Sequence, residues 1–406
     1  MDRRAFMTKT LATTSLAFTP CAGLASAGRV ANGYIRTNWG RDPFALGSYS
    51  YIAKDARQRD TRILAEPVEG RVFFAGEAAH PSYNSTVHAA YESGRIAAAQ
   101  IGETDANHIV VLGAGISGMA AADALIRSGH RVTVLEARAR IGGRIWSDDS
   151  MGAVLDLGAS WIDGLTDNPL TKRAEALGLE TRITDPDNYA VRGGDGRLMR
   201  DRDVPDWLTE VAEIEQSFGA QVPDINMRAY DNDRDYDGPV ALFPGGYLQI
   251  FSGLATQAEI ALNWDAKALR YGRDGVEIDN ARGDSVAADA VVVTVPLGVL
   301  KANRIAFTPA LPRDKTDAIA RLGMGLLDKL YLRYDAVFWD QDADWILTPE
   351  TGLPRGHFNQ WLNLYPVTGE PILMAFNGAD AAWRLADLPD GEILSQAQVT
   401  LARAYP

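Results

Sequence analysis

Residues 108–144, HIVVLGAGISGMAAADALIRSGHRVTVLEARARIGGR, restrict the architectures open to this chain more than any other stretch. The apolar run Ile109 to Leu112 reads as a short buried strand. Gly113, Ala114, Gly115, Ile116, Ser117 and Gly118 turn it into an Ala-rich helix that stops at Ser128-Gly129. A second strand, Arg131 to Leu135, ends in Glu136. Each part has a physical task. Gly113 allows the tight turn, Gly115 lets a pyrophosphate reach the N–H groups of Ile116 and Ser117 at the helix N-terminus, and Gly118 lets helix and strand pack closely. Glu136 lies 18 residues past Gly118, placed to accept from ribose hydroxyls. Strand, helix, strand and carboxylate in register imply a dinucleotide site on a parallel α/β sheet.

The next residues, Arg138, Ala139, Arg140, Ile141, Gly142, Gly143 and Arg144, resemble the flavin-binding amine oxidases, in which this loop wraps the FAD pyrophosphate. That resemblance assigns Ala137, Arg138, Gly143 and Arg144 to the cofactor. It continues in VLDLGASWIDG, residues 154–164, which is similar to the family strand passing the flavin on the substrate side. Gly158, Ala159, Ser160 and Trp161 are thereby expected at the cofactor, and Asp163 at the substrate, where relatives carry His or Glu. Ala266 is assigned to the cofactor in the same way. Glu259 to Asn263 is expected to lead a meander through Ala268–Tyr271 and Val276–Asp279, before the apolar strand Ala290 to Val295.

Two further stretches resemble the C-terminal end of polyamine oxidases and lysine demethylases, yet they precede the dinucleotide motif. They are IRTNWGRDPFALGSYSYI, residues 35–52, and RVFFAGEAAHPSYNSTVHAAYESGRIAAAQI, residues 71–101. Gly76 and Glu77 follow a buried strand. Thr86 and Val87 begin a helix whose N–H groups suit the flavin N1 and O2 edge. Ala89 stands where the family has Gly. The helix 392–406 is similar to the one that leads into W-x-x-D-P-F, so the chain reads as a circular permutation with Gly102 to His108 as the joint. Seven extended residues reach roughly 23 Å, enough to join neighbouring termini. A rearranged product that does not fold, or exchange of the first hundred residues between chains, are the competing readings.

Residues 1–27 pair Arg3 and Arg4 with a modestly apolar segment and end in Ala25-Ser26-Ala27. They resemble a twin-arginine export signal, which implies the export machinery as a partner and a periplasmic or secreted mature protein. The segment is too short and polar for a stable membrane anchor. The formal net charge is -13. Such a body repels nucleic acid and gathers cations. Cys21 is the one cysteine, so FAD is expected to be held non-covalently and no cysteine-based metal site is expected. Asp231, Asp233, Asp235 and Asp237 lack the closing Glu of a calcium loop and read as a solvated stretch.

The expected fold is α/β: a Rossmann-type FAD-binding domain, residues 60–165 and 240–306, interleaved with an α+β substrate-binding domain, residues 28–59, 166–239 and 307–406. The function implied by the resemblance is oxidation of a di- or polyamine by FAD, with dioxygen as acceptor, giving imine, aldehyde and hydrogen peroxide. Lys329, in GMGLLDKLYLRY, matches the family lysine that holds a water near flavin N5. Trp39 is expected beside it, and Tyr49 as an aromatic wall. Tyr49, Thr86, Asp163 and Trp361 are the substrate candidates. An L-amino acid oxidase, a desaturase of the protoporphyrinogen type, and a flavin-binding protein without turnover are the alternatives. Oligomeric state has no sequence signal.

Overall fold

The computed structural model describes residues 29–230 and 234–406. The export-like segment, Cys21, and Asp231 and Asp233 of the aspartate stretch lie outside the described residues.

The apolar run after His108 becomes an interior strand of a five-stranded, wholly parallel sheet. Its spatial order is Glu259–Ala261, Arg131–Leu135, His108–Leu112, Ala290–Val293 and Val72–Phe74. Ile109 and Val111 pack into one core with the helices Val87–Ile101 and Ile116–Arg127, while Val110 and Leu112 join a second core on the opposite face. Burial on both faces is why the run is apolar without alternation. The two helices approach most closely at Gly94, where a Cβ would overlap the main-chain oxygen of Ser117. Beside this crossing, the N–H of Gly76 donates to Ser93 Oγ at 2.9 Å.

A second, six-stranded sheet runs Gly33–Arg36, Leu327–Arg333, Ile372–Gly378, Gln360–Asn363, Trp345–Leu347, Tyr189–Val191. It is antiparallel except for its last pair. Its strands come from both ends of the chain and from the insertion after the dinucleotide motif. The segment Trp207 to Phe218 is helical throughout, but Glu210–Glu215 widens into a π-helix. Among the described residues, no helix is long and apolar enough to cross a membrane.

Two expectations are corrected. Glu259–Ala261 does not enter the meander; it pairs in parallel with Arg131–Leu135 at the edge of the large sheet. The meander consists of Ala266–Gly272, Gly275–Asn280 and Ser285–Ala288, with Ala306–Thr308 alongside. A strand of three residues has too little periodicity to name its partner. The stretch QWLNLY, residues 360–365, which by resemblance reads as one strand lining the cavity, leaves the sheet at Asn363, whose Oδ1 accepts the N–H of Tyr365 at 3.1 Å and starts the short helix Tyr365–Thr368.

Candidate active site

The carboxyl ends of the parallel strands open on a cavity of about 340 Å³. Gly113 turns the chain with φ 113°, and a Cβ on Gly118 would overlap the carbonyl oxygen of Gly113. Gly115 caps the helix Ile116–Arg127 without a side-chain hydrogen bond, so the N–H groups of its first turn are left for an anion. The second glycine loop lies directly on the first: Gly115 and Gly142 form a backbone bridge, and Gly142 N–H donates to Ala114 at 2.8 Å. Gly113, Gly115, Ile116, Ser117, Gly143 and Arg144 line the cavity, with Gly118 beneath it. Arg140 ties the loop internally by donating to the carbonyls of Ile141 and Gly143 at 3.1 and 3.0 Å, and burial pushes its guanidinium down to about 10.

Glu136 is buried at the end of its strand. Its Oε2 accepts the N–H of Ala114 at 2.7 Å and its Oε1 that of Arg138 at 2.8 Å. Burial raises its carboxyl above the ordinary carboxylate value, and the two N–H groups pull it back. Ala137, Arg138 and Ala266 line the same end. Trp264, Lys267 and Arg304 stand there too, and sequence reasoning missed them. The missing signal was the partner of Glu259–Ala261: once that strand lies in the parallel sheet, the residues after it must reach the cavity. Two stacked glycine loops, a helix N-terminus without a side-chain cap and an adjacent buried carboxylate fit the pyrophosphate and ribose of FAD.

At the other end, the strand Val72–Phe74 delivers Gly76 and Glu77. Glu77 accepts from Ser50 Oγ at 2.6 Å and from Arg144 Nη1 at 2.8 Å. Thr86 caps the helix Val87–Ile101, its Oγ1 accepting from Ala89 N–H at 3.1 Å, and Thr86 and Val87 line the cavity. Ala89 is fully buried and is not among the lining residues. Tyr49, Ala159, Ser160, Trp161 and Asp163 complete this end. The Tyr49 hydroxyl donates to the carbonyl of Gln216, just past the π-helix.

The structure does not bring Lys329, Trp39, Trp361 or Gly158 into the lining. Lys329 is 1% exposed, and its Nζ donates to Asp156 O at 2.7 Å, Gly158 O at 2.9 Å and Ser160 Oγ at 2.6 Å. It therefore anchors, from behind, the turn whose next residues face the cavity. Trp39 is buried, its main-chain N–H donating to Asp328 Oδ1 at 2.9 Å. Trp361 belongs to a separate core, where its Nε1 donates to Phe358 O at 3.0 Å.

The family model for flavin containing amine oxidoreductases matches residues 21–102, 116–223 and 222–406. Polyamine oxidase 4 of Oryza sativa subsp. japonica is 31% identical over 359 residues, covering 73% of this chain and 73% of that protein. Lysine-specific histone demethylase 1 homolog 3 of the same subspecies is 31% identical over 356 residues, covering 74% of this chain but 44% of that protein. A double mutant of putrescine oxidase, from a redesign of its cofactor binding, shares the fold with a TM-score of 0.54 at 20% identity, over 74% of this chain and 82% of that one. With the dinucleotide loops, the uncapped helix and Glu136 around one cavity, these matches identify the chain as an FAD-dependent member of the flavin containing amine oxidoreductase family.

Proposed function

We propose that the substrate is a di- or polyamine, oxidised with dioxygen as acceptor. In balance, the amine, dioxygen and water give an aldehyde, a shorter amine or ammonia, and hydrogen peroxide. The observation that carries this reading is Asp163, a carboxylate 8% exposed in the cavity lining beside Trp161. A buried carboxylate attracts a distal ammonium through a charge-assisted hydrogen bond, and the acidic body concentrates cations around it.

FAD, when bound, would accept the hydride that leaves the amine's α-carbon as the imine forms. The chain's own residues position and polarise. The helix N-terminus at Thr86 and Val87 favours negative charge in front of it. Trp161 and Tyr49 wall the cavity and exclude water, with Tyr49 fixed by its bond to Gln216. Lys329 holds the turn that carries Ser160 and Trp161.

The test is peroxide release from putrescine, spermidine, benzylamine and a panel of amino acids, by the parent and by Asp163→Asn. Selective loss of kcat/KM for putrescine and spermidine supports the reading. Equal loss for every amine, or a parent that prefers benzylamine or an amino acid, ends it.

We further read the segment order as a circular permutation, and residues 1–27 as a twin-arginine export signal cleaved after Ala27. Support for the first comes from the shared parallel sheet of Val72–Phe74 and His108–Leu112 and from the bond between Arg29 and Tyr405. N-terminal sequencing of protein from a periplasmic fraction tests the second.

A further inference from the structure

Asp42 and Arg138 stand far apart in sequence, one in WGRDPF and the other just past Glu136. In the fold they form a two-pronged ion pair: Arg138 Nη1 donates to Asp42 Oδ2 at 2.7 Å and Nη2 to Oδ1 at 2.9 Å. The Asp42 side chain is 0% exposed and that of Arg138 is 12% exposed. Trp39 and Phe44 flank the guanidinium, with ring centres 5.7 and 5.5 Å from its central carbon. Asp42 Oδ1 also accepts the N–H of Phe44 at 2.7 Å. Phe44 and Arg138 both line the cavity, and the N–H of Arg138 holds Glu136.

A buried pair of charges is costly to desolvate and persists only when fork geometry and flanking groups compensate. Here the compensated guanidinium sits where the chain leaves Glu136 for the second glycine loop. Fixing it fixes the carboxylate on one side and the loop over Gly115 on the other. We propose that Asp42 is a positioning residue for the cofactor: through Arg138 it sets the ribose and pyrophosphate end of the site, so that FAD affinity depends on the segment 39–44. This rests on the cofactor and is independent of which amine is oxidised.

Asp42→Asn preserves shape and the bond to Phe44 but removes the charge and one prong. The expected result is an FAD dissociation constant, read by quenching of flavin fluorescence on added apoprotein, raised on the order of tenfold or more. The melting temperature of the apoprotein should fall little by comparison, because a mere structural staple would weaken the apoprotein as much as its complex. Arg138→Met and the double variant complete a cycle: Arg138→Met should raise the dissociation constant at least as far as Asp42→Asn, and the double variant no further than Arg138→Met, since Asp42 acts through Arg138. Arg138→Lys, which keeps the charge and loses the fork, provides the test if Asp42→Asn fails to fold, and is expected to weaken FAD binding as well. An FAD dissociation constant within about twofold of the parent in a folded variant, or additive effects in the cycle, overturns the proposal.

Discussion

The guanidinium of Arg29 donates to the main-chain oxygen of Tyr405, so the two ends of the described chain lie side by side. The same arginine stands over Phe338, and the Tyr405 hydroxyl donates to Asp340 at 2.8 Å, so both ends are fastened to the loop between the strands Leu327–Arg333 and Trp345–Leu347. A gene that joins residue 406 to residue 29 through a short linker and opens the chain within 102–107 should therefore give a folded protein. Its flavin spectrum and turnover are expected within about threefold of the parent, because the cut and the join both fall in surface connections. Insoluble product, or soluble product without FAD, would show that the present order is needed.

Gly94→Ala sets two effects against each other. Alanine improves helix propensity by about 1 kcal/mol. Its methyl, however, would overlap the carbonyl oxygen of Ser117, main chain that cannot swing aside. Separating the helices Val87–Ile101 and Ile116–Arg127 costs about 1–3 kcal/mol by overpacking, and both N-termini line the cavity. The variant should unfold at lower urea and lose FAD on dialysis; a gain in stability would contradict this packing.

Lys329→Met removes the donor to three buried acceptors around residues 156–160. The carbonyls of Asp156 and Gly158 keep donors from Tyr331 and Ser160, but the buried turn loses three charge-assisted bonds, worth roughly 1–3 kcal/mol, and it carries Ser160 and Trp161. Turnover is expected to fall on the order of tenfold or more, with FAD retained. Unchanged peroxide production would show that the turn keeps its place without the ammonium.

Asp328 gives a pH signature. Burial lifts its carboxyl to about 7, against the N–H of Trp39, the hydroxyl of Thr37 and the charge of Arg36. Since its folded value lies above the unfolded one, its contribution to stability is full below about pH 4 and is lost as pH rises through about 7. Asp328→Asn should accordingly be more stable than the parent at pH 8, by a few kcal/mol as an order of magnitude, and equal near pH 4. Urea midpoints across this range check it; a parent that gains stability relative to the Asp328→Asn variant on going to pH 8 would refute the assignment.

The stretch from His108 to Glu136 was legible because its information is local: an apolar run, glycines at fixed offsets, an Ala-rich helix and a carboxylate. The cavity residues Gly76, Thr86 and Trp161 were reachable through resemblance alone, since a strand–turn–helix does not announce what it faces. The parallel partner of Glu259–Ala261, the fork between Asp42 and Arg138, and the three acceptors around Lys329 were not legible. Each joins residues from separate segments, and such pairings leave no periodicity in either segment. Lys329 illustrates the point: a lysine on a strand reads as a reagent or a surface charge, and its three acceptors lie in a distant segment, residues 156–160.

The edge strand Val72–Phe74 has a single sheet neighbour, Ala290–Val293. During synthesis the ribosome releases these apolar residues early and their partner only after most of the chain has emerged. Until then Gly76 and Glu77 have no fixed position relative to the glycine loops at 113–118, and the cradle for FAD does not exist. The cradle for FAD therefore cannot close until Ala290–Val293 has emerged, late in synthesis.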